Sequence, residues 1–248
     1  MKYILVSVFA TFLLNCKNLD NEQLSAEFII NKSIQISGSE KVGISKIGFD
    51  FRDKYYYADR DKGKFMLMRM TIENNKDSIF DVLSNDGFER HINTNEAVFV
   101  EDSMKVNYSA SVNSVHYFSV LPYGLNDKAV NKKRLDDVVI NNEKHYAIKV
   151  TFHKEGGGED YEDVFVYWIN SESFKLGYLA YSYNEIDGKG MRFREAYNER
   201  FINDIRFLDY NNYKPNDKIK TLKELPKLFE DGALTLLSKI ELKNIKVN

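Results

Sequence analysis

Five carboxylates and three consecutive glycines share one short run, EGGGEDYED, from Glu155 to Asp163. Two chemistries use such residues. Glycine amides can cradle a phosphate, and clustered carboxylates can hold calcium. A phosphate loop must lead into a helix N-terminus and usually carries a Lys and a Ser or Thr. Here a strand pattern follows, at Val164–Ile169, and Glu155, Glu159, Asp160, Glu162 and Asp163 would repel an anion. Calcium suits the acids, but their spacing misses the alternate-position pattern of an EF-hand loop. The run is therefore expected to be a solvent-facing turn without a metal. Its glycines would supply the positive φ that a tight turn needs and would let it flex over a cavity mouth.

The histidines offer little more. His91, His116, His145 and His153 form no HExxH pattern, and the chain holds no GxSxG elbow. His145 and His153 would share a strand face, but at ~3.3 Å per residue they stand roughly 26 Å apart, too far to share a metal. Each is expected to be core or surface filler. No catalytic residue, metal site or cofactor is expected.

Met191–Tyr197, MRFREAY, is more informative. As a strand it sets Met191, Phe193, Glu195 and Tyr197 on one face and Arg192 and Arg194 on the other. With the apolar face inward, Glu195 becomes a buried carboxylate that needs a partner or a raised pKa. Glu195, Phe193 and Tyr197, with Phe118 from a helix, are the candidate lining of a ligand cavity. The competing reading is a structural ion pair from Glu195 to a neighbouring strand, such as one carrying Arg52.

The only cysteine, Cys16, ends an apolar run from Tyr3 to Leu14 that follows Lys2. That run has the length of a secretory signal and is too short to span a bilayer. Leu13-Leu14-Asn15-Cys16 resembles a bacterial lipobox, which makes residues 1–15 a lipoprotein signal peptide, Cys16 the lipid attachment point and residues 16–24 a tether. A free cysteine beside an ordinary signal peptide is the alternative. Cleavage before Cys16 and lipidation leave no free thiol, which excludes intramolecular disulfides and cysteine catalysis. The implied location is the cell envelope, at the outer membrane, with the membrane a partner through the anchor.

The remaining chain must position these groups. It has 248 residues, with 35 Lys and Arg against 37 Asp and Glu, and no basic block that would mark a nucleic-acid partner. Sixteen Tyr and 17 Phe against three Pro favour strands. A first helix is predicted from Ser25, as cap, to Gly38. Strands follow at Ile44–Phe51, Lys54–Asp59 and Lys64–Ile72. Ser84-Asn85-Asp86-Gly87 marks a hairpin between Ile79–Leu83 and Phe88–Ile92. Ser109–Leu121 fits a helix as well as a strand; as a helix it carries Val112, Val115, Phe118 and Leu121 along one face. Further strands are predicted at Lys144–Phe152, Val164–Ile169, Leu176–Tyr183, Met191–Tyr197 and Arg206–Tyr210. Lys223–Glu230 reads as a short helix and Leu234–Leu242 as a last strand. With no repeat or linker, residues 25–248 form a single β-rich domain.

The stretches FDFRDKYYYADRDKGKF, DVLSNDGFER, VNSVHYFSVLPYGLNDKAVNK, FHKEGGGEDYEDVFVYWIN, YLAYSYN, GMRFREAYNERFINDIRFLDYNNYKP and LLSKIELKNI together resemble DUF6503, a family of uncharacterised Bacteroidota lipoproteins. The resemblance runs from about Ala26 to Val247 and brings no catalytic residues with it. It implies an architecture of the LolA/LolB lipoprotein-carrier type. The fold class would be mainly β, a curved antiparallel sheet or unclosed β-barrel with two or three helices on the concave side. The function expected is binding of a lipid or other apolar, acyl-bearing ligand in the half-barrel. A structural or partner-binding envelope lipoprotein with a filled core is the alternative, and an enzyme with an unrecognised site a further one.

Overall fold

The computed structural model describes residues 23–73, 77–93, 96–157, 161–185, 188–216 and 221–248. The expected signal peptide, Cys16 and most of the expected tether lie outside these residues. Helix α1 (Ala26–Ile36) opens the domain, and the Ser25 hydroxyl accepts from the Phe28 N–H at 3.1 Å as its N-cap. Gly38 then takes φ +61°, where a Cβ would collide with the Asp204 carbonyl. A 3-10 turn (Ser39–Ile44) leads into the strands.

Six strands follow as successive antiparallel neighbours: β1 (Lys46–Phe51), β2 (Lys54–Asp61), β3 (Lys64–Glu73), β4 (Asp77–Ser84), β5 (Gly87–Ile92) and β6 (Glu96–Val98). The β4–β5 hairpin turns at the predicted Asn85-Asp86 pair, with Ser84 opposite Gly87. Helix α2 (Asp102–Ser119) comes next and begins seven residues before the predicted start at Ser109. Met104, Val106 and Tyr108 in its first turns are spaced by two, and Met104 and Val106 are exposed, so helical periodicity gives no signal there.

The second sheet holds β7 (Val130–Arg134), β9 (Glu143–Phe152), β10 (Val164–Asn170), β11 (Leu176–Glu185), β12 (Gly188–Ile202) and β13 (Ile205–Pro215), with the short β8 (Val138–Ile140) paired beside β9. Helix α3 (Leu225–Glu230) follows, with Pro226 in its first turn, where a missing N–H costs nothing.

The predicted last strand is two strands. β14 (Leu234–Ile240) pairs with β13 in the second sheet, and β15 (Leu242–Val247) pairs with β1 in the first. The chain changes sheets at Glu241. Among the described residues, fifteen strands thus form two large antiparallel sheets that do not close into a barrel. This is the mainly β, unclosed architecture expected.

The second sheet buries both faces. Along β10, Phe165, Tyr167 and Ile169 pack with α1, Leu121 and Leu125, whereas Val166 and Trp168 point the other way. That other face lies under α3, where Trp168, Tyr178 and Phe193 meet Leu225 and Phe229. Helices α1 and α2 therefore lie on the side that faces the first sheet, and α3 covers the back. On the first sheet, α2 sets Val112 against Ala58 and Leu67. It is also held by a charge cluster. Asp81, 1% exposed, receives Arg69 and Arg90, each at 2.6 Å, and Arg69 Nη1 reaches the Ser111 hydroxyl at 2.7 Å.

Candidate functional site

Between α2 and the facing sides of both sheets lies a cavity of ≈ 900 Å³. Leu67 and Leu83 line it from the first sheet, Val115 and Phe118 from α2, and Phe165, Tyr181, Leu208 and Tyr210 from the second. The alternation of each strand brings these side chains together. Leu67 pairs with Leu83, and Phe165 with Tyr181, so each pair shares one face. The Phe165 ring stacks on Tyr181 at 5.3 Å, and Phe118 meets Tyr181 at 5.5 Å. Deeper, the Tyr117 and Tyr167 hydroxyls share a hydrogen bond of 2.5 Å, and burial holds both phenols above their usual range.

Lys64, Asp127 and Asp163 border this mostly apolar space, and two guanidinium groups are buried in its wall. Arg194 of β12 is 7% exposed. Its guanidinium carbon sits 3.7 Å from the centroid of the Phe118 ring, and its Nη2 donates to the Tyr181 hydroxyl at 2.9 Å. Its Nε and Nη1 make no hydrogen bond. Arg60 of β2, 8% exposed, lies 5.6 Å from the Tyr123 ring centroid, and its Nη1 is likewise unbonded. Among the described residues, no carboxylate pairs with either guanidinium. His116 of α2 is 1% exposed. Its Nε2–H donates to the Met68 carbonyl at 3.1 Å, and burial, reinforced by Arg60, pushes its pKa down to about 3.

The residues expected to line the cavity separate. Phe118 is in its wall. Phe193 is fully buried on the opposite face, with its ring 5.0 Å from that of Phe229 under α3. Glu195 shares that face and is half-buried. It accepts from Asn211 Nδ2 at 3.0 Å and from the Tyr213 hydroxyl at 3.1 Å. It makes no ion pair with Arg52, which stacks on Phe51 beyond β1. The Tyr197 hydroxyl donates to Glu241 Oε1 at 2.9 Å. The expected facing of β12 is thus reversed. Met191 and Phe193 pack in the cluster under α3, and the face with Arg194 looks into the cavity. Alternation defines two faces, but a strand covered on both sides gives no sign of which one meets a ligand.

The glycine-rich run joins β9 to β10, as expected for a turn between strands. Residues 158–160 lie outside the described residues. Gly156, at φ +79°, and Gly157 both border the cavity. Among the described residues, no group of three or more His, Cys, Asp or Glu could hold a metal ion. His145, with Nδ1–H on the Glu143 carbonyl at 2.9 Å, is a satisfied buried group, and His153 is exposed. Among the described residues no helix is long and apolar enough to cross a membrane.

The family pattern named "Family of unknown function (DUF6503)" matches residues 2–242. The chain belongs to that family. This DUF6503 chain matches no curated protein in sequence. In fold it is similar to a LolA superfamily protein from Nitrosomonas europaea, with a TM-score of 0.50 at 12% identity over 90% of this chain and 93% of that one. It also aligns with a DUF1329 family protein from Desulfovibrio piger, at a TM-score of 0.43 and 9% identity over 90% of this chain and 92% of that one. A domain assigned to outer membrane lipoprotein sorting in Vibrio parahaemolyticus aligns at 0.40 and 6% identity over 88% and 93% of the two chains. The likeness to the LolA superfamily protein is one of fold.

Proposed function

We propose that this DUF6503 protein is an exported, lipid-anchored protein of the bacterial envelope, held at the outer membrane through Cys16, and that it binds an acyl-bearing ligand without catalysing a reaction on it. The observation that carries the reading is the ≈ 900 Å³ cavity between α2 and the two sheets, walled by aromatic and branched apolar side chains. A domain that filled its own core would leave no such space, and ligand sites are typically apolar concavities of this order of size. Burial of alkyl surface supplies the affinity. At about 0.8 kcal/mol per methylene, ten methylenes give roughly 8 kcal/mol gross, from which binding entropy and ordering are subtracted. A micromolar dissociation constant is expected.

The test is extraction of protein purified natively from its own envelope, followed by lipid mass spectrometry, with displacement of a fluorescent fatty acid as a second readout. Co-purified lipid and saturable dye binding are expected. Folded protein that carries no lipid and binds no dye would favour a partner-binding envelope protein instead.

A further inference from the structure

Buried guanidinium groups are ordinarily paired with carboxylates, because an ion taken out of water needs compensation. Arg194 breaks that pattern inside the cavity. It lies between the Phe118 and Tyr181 rings, uses Nη2 on the Tyr181 hydroxyl, and keeps Nε and Nη1 unbonded. Guanidinium stays charged in proteins, so the cavity wall holds a fixed positive charge with unused donors. Arg60 adds a second across the same space, again without a carboxylate among the described residues. Ion pairs elsewhere in the domain show the contrast. Arg69, Arg90, Arg200 and Arg206 each meet an Asp or Glu at 2.9 Å or less.

We propose that Arg194, aided by the Tyr181 hydroxyl and Arg60, forms a site for the anionic end of an amphipathic ligand, an alkyl carboxylate or alkyl phosphate, whose chain lies along Phe118 and Phe165. Tyr181 accepts from Arg194 and so keeps its own O–H free to donate to the same anion. A carboxylate or phosphate oxygen satisfies unused guanidinium donors with charge-assisted hydrogen bonds, which water or a neutral ester does less well. Burial lowers the Arg194 proton affinity, which fits a cation held for a partner that arrives from outside. The inference rests on the apolar-ligand reading above and adds a charge requirement to it. It separates this cavity from one built for neutral acyl esters.

The experiment is competition for a fluorescent fatty acid by palmitate, methyl palmitate and hexadecyl phosphate, on wild type, Arg194→Met and Arg194→Lys. In wild type, palmitate or hexadecyl phosphate should bind at least about tenfold more tightly than methyl palmitate, and the tighter of the two anions names the headgroup. Arg194→Met should bring anion and ester to parity. Arg194→Lys should retain part of the preference. Because Met removes an unpaired buried charge, the ligand-free Arg194→Met protein should melt at or above the wild-type temperature. Equal binding of ester and anion by wild type, or an undiminished preference in Arg194→Met, would overturn the anion site while leaving the apolar-ligand reading in place. Failure of all three probes to bind folded wild type would overturn both. A marked drop in the melting temperature of Arg194→Met would make Arg194 a structural group and would also count against the proposal.

Discussion

The backbone N–H of Leu242 donates to Oδ1 of Asp209 at 3.0 Å, and this bond ties the first residue of β15 to a strand of the other sheet. The same carboxylate, 2% exposed, also accepts from Asn198 Nδ2 at 2.6 Å and Arg200 Nη2 at 2.9 Å. Arg200 goes on to the Leu242 carbonyl at 2.8 Å. The register of β12 against β13 shifts between Tyr197 and Arg200, and Asn198 takes φ +50° there. The bulge bends β12 where the two sheets diverge and aims both side chains at one acid.

Asp209→Ala should therefore weaken the join between the sheets. It leaves the Leu242 N–H without its acceptor and takes one partner from the half-buried Arg200, at a cost of about 1–3 kcal/mol. Urea unfolding of the purified domain reads this directly. A change below about 1 kcal/mol would show that the seam holds without the carboxylate.

Phe193→Ala separates stability from binding. The ring is fully buried against Trp168, Tyr178 and Phe229, so its loss should cost about 3–5 kcal/mol in denaturant. Dye affinity per folded molecule should stay at the wild-type value, because the residue faces α3 rather than the cavity. Reduced affinity in the folded fraction would place Phe193 in the binding wall after all.

His116 sets a pH dependence. Its ring is buried against Phe49 and Tyr56, with Arg60 and the Met68 carbonyl as polar neighbours, and its folded pKa falls from 6.5 to about 3. Between those values the unfolded chain binds the proton and the folded one does not. The stability from this group is thus complete above about pH 6.5 and declines as pH falls toward about 3, by about 1.4 kcal/mol for each pH unit within the window. In His116→Gln, stability measured by urea titration should fall less steeply over the same range. An unchanged slope would assign the acid sensitivity to other groups.

Cys16→Ser should move the protein from the membrane pellet to the soluble fraction of cells. The mutant pelleting with the envelope as before would remove the lipid anchor from the account.

Local signals were legible in the sequence, and long-range ones were not. Ser25 and the Asn85-Asp86 turn act within a few residues, so their types alone placed α1 and the β4–β5 hairpin. The apolar stripe of Val112, Val115 and Phe118 likewise announced the half of α2 that meets the sheet. The switch at Glu241 left no trace, because Ile240 and Leu242 continue the alternation and no Gly or Pro interrupts it. Arg194 was visible as a residue but not as a wall of the cavity. Its role depends on α3 covering the other face of β12, and α3 comes from thirty residues further along the chain. Arg60 carried even less signal, since a charged residue on a strand ordinarily reads as solvent-facing.

The pairing of Ile47 with Val247 has a consequence for how the chain is made. β1 gains its second neighbour only when β15 has emerged, after β2 to β14 have been synthesised. Contacts between residues so distant form slowly, because the loop between them must close first. Until then one edge of the first sheet stays unpaired and Asp209 lacks its bond to Leu242. A polypeptide built this way delays its own completion.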